Sequence, residues 1–195
     1  MHGLINKSIQ SFLRDTYGEA VWSDVVLAAD LPTKEFEAML AYDDEITGLV
    51  LDAAAARLSR PREVLLEDIG TYLVSHENSR GVRRLLRFAG VCYEDFLFSL
   101  EDLPDRTRLA VPDLELPALD LRQEEASRFT LTTGNGLPGM GHVLVGVLRA
   151  MADDYGALVM LDHLGEGGQG ECIEITLVEP RFSEGKRFEL GVRTG

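Results

Sequence analysis

Apolar residues recur at helical spacing through the first hundred positions of this chain, and beyond Leu103 they no longer do. Ile5, Ile9, Phe12, Leu13 and Tyr17 fall at i, i+4, i+7, i+8 and i+12, on one face of a helix that Gly18 can close. Val21, Trp22, Val25 and Val26 predict a second, shorter helix ending before Pro32, and Thr33 to Ala41 a short third one. Asp43 or Asp44 can cap the next helix, which carries Ile46, Leu49, Val50 and Ala53. Pro61 marks its end or the start of the following helix, where Leu65, Ile69, Tyr72, Leu73 and His76 share a face and Gly81 is the expected break. Two further helical stretches, VRRLLRFAG and CYEDFLFSLEDL, lead to Pro104, which as a residue without an amide hydrogen is expected to end a helix at Leu103.

After that point Pro104, Pro112 and Pro117 interrupt the chain and RFTLTTGN alternates as a strand does. MGHVLVGVLRAMADDYG is apolar enough to be a largely covered helix. ALVMLDHL, CIEITLVEP and KRFELGVRT predict three more strands, the first two joined by a Gly-rich hairpin connection, GEGGQGE. That loop lacks the Lys and Ser/Thr of a phosphate-binding loop. Helices first and strands later indicate an α+β fold, not a doubly wound parallel sheet.

The balance of charge limits the partners. A formal charge of −14 repels phosphate backbones and anionic lipid, so neither nucleic acid nor a membrane surface is an expected partner. No apolar run has the ~18 residues of a membrane span and no signal pattern opens the chain, so the cytoplasm is the expected location. Cys92 and Cys172 stand 80 positions apart, and His2, His76, His142 and His163 show neither HxxxH nor HxH spacing, so no local metal motif exists. No GxSxG elbow occurs and no catalytic constellation stands out among the abundant carboxylates, so an enzyme is not expected.

Several short stretches, in order and at matching spacing, carry a resemblance. Met1-x-Gly3 leading to Asn6, Tyr17-Gly18 with Trp22, the YDD at Tyr42 to Asp44, Gly70 and Gly81, LLRFAG, FLFSLEDL, and Pro112 with Pro117 together resemble the heme nitric oxide/oxygen-binding (H-NOX, HNOB) domains. These are the sensor modules of soluble guanylate cyclase and of stand-alone bacterial homologues. The resemblance implies one domain over 1–195, with a helical N-terminal lobe (1–60) and a C-terminal lobe (61–195) of helices on a four-stranded antiparallel sheet. It also implies heme between the lobes, and signalling through a partner such as a histidine kinase or a cyclic-nucleotide enzyme.

The residue matched to the family's iron-ligating histidine is Pro104, which has no lone pair for iron. The family's Tyr-x-Ser-x-Arg motif, which holds the heme propionates, falls on Thr133, Asn135 and Leu137, or one residue earlier on Thr132, Gly134 and Gly136; either way the arginine is missing. By the same resemblance Ile5, Leu73, Glu77 and either His142 or Val143 line the opposite side of the pocket, and Pro117 lies behind it. The expectation is a degenerate, non-enzymatic sensor domain. The alternatives are a nitric oxide or redox sensor whose heme is held by His142 or, less well, His76, and a module for another apolar ligand such as a fatty acid or a different tetrapyrrole.

Overall fold

The computed structural model describes residues 1–87, 90–134, 138–168 and 170–178, which form eight α-helices and four strands. Helix α1 (Gly3–Tyr17) starts where the His2 imidazole accepts the Leu4 amide hydrogen bond, and it stops at Gly18, whose φ of 88° favours glycine. α2 (Glu19–Ala28) follows at once. The stretch Thr33–Ala41, expected to be a third helix, is a series of turns with one isolated bridge from His2 to Ala41. Side chains take its backbone groups instead: the Gln10 amide oxygen accepts from the Phe36 N–H at 2.8 Å, and the Trp22 indole donates to the Lys34 carbonyl at 3.0 Å. Such competing bonds hold Phe36 in the core without a helix.

α3 (Asp44–Leu58) ends at Ser59 in the left-handed region, and Pro61 precedes α4 (Arg62–Ser75). The expected break at Gly81 occurs earlier, at His76, which leaves the helical conformation and caps a 3-10 turn (Glu77–Ser79). Gly81 lies inside α5 (Arg80–Arg87). α6 (Tyr93–Phe98) and α7 (Leu103–Ala110) are separate helices. Pro104 therefore opens a helix and does not close one: it occupies the first turn of α7, where a missing N–H costs nothing and the fixed φ suits the helix.

The sheet is antiparallel in the order β1-β2-β4-β3, from β1 (Leu119–Glu125), β2 (Arg128–Thr133), β3 (Val159–Gly167) and β4 (Gly170–Leu177). β1 escaped sequence reading because LDLRQEE is mostly polar: it is an edge strand with one well-buried residue, Leu119. The Gly-rich stretch is less of a loop than expected, since the β3–β4 ladder runs on to the pair Gly167–Gly170. The expected strand KRFELGVRT lies outside the described residues.

Register places Phe129 against Ile175, Leu131 against Ile173, and Leu161 against Ile175 on the inner face. α8 (Met140–Tyr155) covers that face with Leu144, Leu148 and Met151. Buried apolar residues form two clusters. One joins α1 to α4 through Phe12, Leu13, Trp22, Val50 and Ile69; the other joins α5 to α8 with the sheet.

α4 and α8 connect the two clusters, and they meet backbone to backbone. A Cβ on Gly70 would overlap the Val143 carbonyl oxygen, and one on Gly146 the Glu67 carbonyl oxygen. Gly70→Ala and Gly146→Ala are each expected to lower stability by about 1–3 kcal/mol through overpacking. Gly48→Ala, in α3 with open space around it, should be neutral or raise stability by up to ~1 kcal/mol. Urea midpoints check both, and alanine tolerated at 70 and 146 would contradict the close approach.

Candidate functional site

Start with Pro104. It is half-buried, and its neighbours Leu103 and Thr107 turn inward one helical turn apart. Leu97 and Leu100 are fully enclosed, and with Leu103, Leu144 and Leu148 they belong to one apolar cluster. Arg106 ties this corner down: its guanidinium donates to the Leu85 carbonyl of α5 at 3.0 Å and to the Ser99 carbonyl at 2.6 Å. The Tyr93 hydroxyl donates to the Leu148 carbonyl at 3.1 Å and fastens α6 to α8. Burial in this apolar setting pushes the Tyr93 phenol far up, so it stays a neutral donor.

The other expected positions are spread over α1, α4, the turn after it, α8 and the ends of β1 and β2. Ile5, Leu73 and Val143 are half-buried and each packs on the first core, whereas Glu77 is exposed beside Arg80. Pro117 is half-buried just ahead of β1. Thr133 is buried at the end of β2, paired with Leu119 on one side and Glu171 on the other. Thr132 faces the other way, 3.6 Å from the Cys172 sulfur. Gly134 donates its N–H to the Ala118 carbonyl. Asn135, Gly136 and Leu137 lie outside the described residues.

The two histidines singled out as candidate ligands are far from equivalent. His76 stacks on the Tyr72 ring at 4.6 Å, accepts from the Asn78 N–H, and stands 3.7 Å from the Asp15 carboxylate. Tyr72 donates to the same carboxylate at 2.6 Å and Asn78 at 2.8 Å. The Tyr72 hydrogen bond, with that of Asn78 and the nearby His76, holds the Asp15 carboxyl below the usual range against the opposing effect of burial.

His142 stacks on His163 of β3 at 4.0 Å, and its Nδ1 is 3.6 Å from Glu67, which also pairs with Arg149 at 2.9 Å. His163 in turn is 3.0 Å from Glu171 of β4. The Glu171 carboxylate accepts from the Gly139 and Gly141 amides at 2.7 and 3.0 Å, satisfying orphan donors at the start of α8. A Cβ at Gly141 would meet the side-chain ends of both Glu171 and His163, so any larger residue there must displace them. Glu67, His163 and Glu171 carried no signal in sequence spacing: strand register and the α4–α8 packing bring them to His142.

Two cavities border these groups. One of about 530 Å³ is lined by Arg62, Leu66, Thr133, His142, His163 and Glu171. The other, about 460 Å³, is lined by Phe12, Tyr17, Arg60, Asp68, Tyr72 and His76. Thus Thr133 and His142 share a cavity, His76 belongs to another, and Ile5, Leu73, Glu77, Pro104 and Pro117 line neither. Among the described residues no group of three or more His, Cys, Asp or Glu is placed to hold a metal ion.

Known proteins place this arrangement. The family model described as Haem-NO-binding matches residues 2–163. The chain belongs to that family. It is 22% identical over 172 residues to soluble guanylate cyclase 89Db of Drosophila melanogaster, covering 88% of this chain and 26% of that protein. It is 27% identical over 155 residues to soluble guanylate cyclase gcy-34 of Caenorhabditis elegans, covering 78% and 23%. The chain thus spans about a quarter of the length of these curated relatives.

Among solved structures, the Fe(II) unliganded H-NOX protein from K. algicida superposes with a TM-score of 0.75 at 17% identity, over 92% of this chain and 97% of that one. An H-NOX protein from S. oneidensis superposes at 0.77 and 15%, over 92% and 97%. The expected α+β, H-NOX-like fold is therefore the observed one. No helix among the described residues is long and apolar enough to cross a membrane.

Two measurements check the side-chain network. Glu171→Ala leaves two amides and an imidazole without their acceptor and should cost about 1–3 kcal/mol in urea unfolding; an unchanged midpoint would contradict the bonding. The depressed Asp15 carboxyl stabilises the fold above its unfolded pKa of about 3.9, and that contribution fades as pH falls through its lower folded value. Tyr72→Phe should therefore be less stable than the parent at pH 7, with the gap narrowing in acid. A gap independent of pH would show that Asp15 is not the partner that matters.

Proposed function

We propose that this chain is a sensor-type domain of the Haem-NO-binding family that works without histidine-ligated heme and passes its state to a separate signalling protein. Pro104 carries the reading. It stands at the position matched to the iron ligand, in the first turn of α7, beside Leu100 and Leu103 that are already enclosed by apolar neighbours. Axial ligation needs imidazole, thiolate, thioether or phenolate, and proline offers none.

The second grip on heme is missing too. Thr133, Asn135 and Leu137 replace the motif that clamps propionates, and no register restores its arginine. These residues do not fit an axially ligated heme. A cavity the size of the cofactor would be costly if left empty, at about 24 cal/mol per Å³. Enclosed leucines avoid that cost, and Arg106 bonded across to α5 favours a corner that stays shut.

The proposed organisation is one domain over 1–195 with lobes at 1–60 and 61–195, in which α4 of the second lobe packs on the core of the first while its glycine contact holds it to α8. The domain is not itself an enzyme in this reading. The region matched in relatives named as guanylate cyclases is about a quarter of their length, and the proposed output of this domain is carried by a signalling protein such as a histidine kinase or a cyclic-nucleotide enzyme, without nucleic acid or membrane as partner.

A second reading has one observation in its favour: His142 faces a cavity of about 530 Å³ shared with Thr133 and Arg62. Heme or another apolar ligand held there would make the domain a nitric oxide or redox sensor after all. Against this, His142 is stacked on His163 and set beside Glu67.

Absorption spectra separate the two. Protein made in heme-supplemented cells should lack a stoichiometric Soret band, and added hemin should bind no better to the parent than to His142→Ala or His76→Ala. A full Soret band that His142→Ala abolishes would replace the first reading by the second.

A further inference from the structure

We propose that the outer face of α5 docks a short acidic segment of the signalling partner. Residues 80–93 contain four arginines and no aspartate or glutamate, in a chain whose net charge is −14. The remainder of the chain is thus four charges more negative than the whole. α5 is the one described helix that concentrates positive charge in this way.

The helix sorts its side chains cleanly. Leu86 is buried, and Arg83 turns inward to make a two-pronged pair with Asp154 of α8 at 2.8 and 2.6 Å. These contacts anchor α5 to the body of the protein. Arg80, Arg84 and Arg87 stand at i, i+4 and i+7, a single outward stripe about 10 Å long.

Elsewhere on this surface arginines are matched with carboxylates: Arg57 with Asp24, Arg60 with Asp68, Arg62 with Asp52, Arg149 with Glu67. On the α5 stripe that matching lapses. Arg84 has no ion pair among the described residues, and Arg87 lies over the Tyr155 ring at 5.2 Å. Arg80 reaches only Glu77, at 3.5 Å, and both side chains are largely in solvent. Guanidinium groups left this way suit carboxylates, which they grip with two parallel hydrogen bonds.

The size of the stripe decides which anion fits. A nucleic acid duplex or a lipid surface extends well past 10 Å, and charges are screened only over about 8 Å at physiological salt. Both would reach past α5 to the rest of a chain whose net charge is negative. A protein segment with two or three carboxylates at helical spacing, flanked by neutral or basic residues, covers the stripe and nothing more. The two-pronged pairing of Arg83 with Asp154 and the exposure of Arg84 also make the site anchored at its base and open at its face.

This inference rests on the partner-mediated reading for the partner's role, but its test does not involve heme. Full-length protein would be titrated against a labelled helical peptide with glutamates at i, i+4 and i+7 and neutral flanks, and against the same peptide with glutamines, by fluorescence anisotropy at low and moderate salt. The expected result is a preference for the glutamate peptide of about tenfold at low salt, shrinking as salt rises. Arg84→Gln should reduce it several-fold, Arg80→Gln with Arg84→Gln and Arg87→Gln should remove it, and Arg122→Gln, at an exposed pair with Asp120, should leave it unchanged.

Equal binding of the two peptides overturns the proposal, as does a preference that survives the triple variant. Tighter binding of a DNA duplex or of phosphatidylserine vesicles than of the glutamate peptide overturns it as well. Unchanged urea midpoints for the α5 variants exclude unfolding as the cause. A protein that binds heme through His142 and still prefers the glutamate peptide sinks the heme-free reading alone.

Discussion

The backbone contact between α4 and α8 is the constraint on which the rest of the structure depends. Gly70 and Gly146 let the two helices approach until main chain meets main chain, and each helix belongs to a different apolar core. The contact sets what lies where the two cores meet. It brings Val143 onto the first core and Glu67 beside His142 and Arg149. Glu171 reinforces it from the sheet by holding the first turn of α8, with His163 filling the space that a side chain at position 141 would need.

Against that fixed junction, the corner formed by α5, α6 and α7 gives the domain its particular character. In a family defined by heme, one expects a donor and a cavity at this corner. In the proposed reading, proline at the matched position offers no donor, Leu97, Leu100 and Leu103 fill the corner, Arg106 ties it to backbone carbonyls, and the fold is kept while the group it would enclose is given up. A domain of that kind can still present surfaces, and α5 is the surface where its charge departs most from the average of the chain.

Much of the fold was legible in the sequence because helical periodicity is a long-range signal that burial enforces. The faces of α1 and α4 could be read directly from their apolar spacing, and the covered surface of α8 from its apolar content, whereas α3 is rotated from the expected face, with Thr47, Val50, Leu51 and Ala54 covered and Leu49 exposed. What failed had local causes. Thr33–Ala41 looks helical, but Gln10 and Trp22 reach in from elsewhere and take its backbone groups. Pro104 was read as a stop when it is a start, since proline is compatible with either side of a junction and only the backbone tells which. β1 hides because an edge strand with one covered face can be almost wholly polar. The candidate site divides in the same way: His142 and Thr133 were reachable from family spacing, whereas Glu171, His163 and Glu67 converge only through strand register and helix packing.

In the proposed reading this core is complete without a cofactor. Urea unfolding of iron-free protein, followed by near-ultraviolet and far-ultraviolet circular dichroism with and without hemin, tests it most directly. The account predicts intact near-ultraviolet signal, one cooperative transition seen at the same midpoint by both probes, and no shift on adding hemin. A weak near-ultraviolet signal with retained helix, sharpened and shifted to higher urea by hemin, would mean that the corner beside Pro104 is hollow and waits for a ligand.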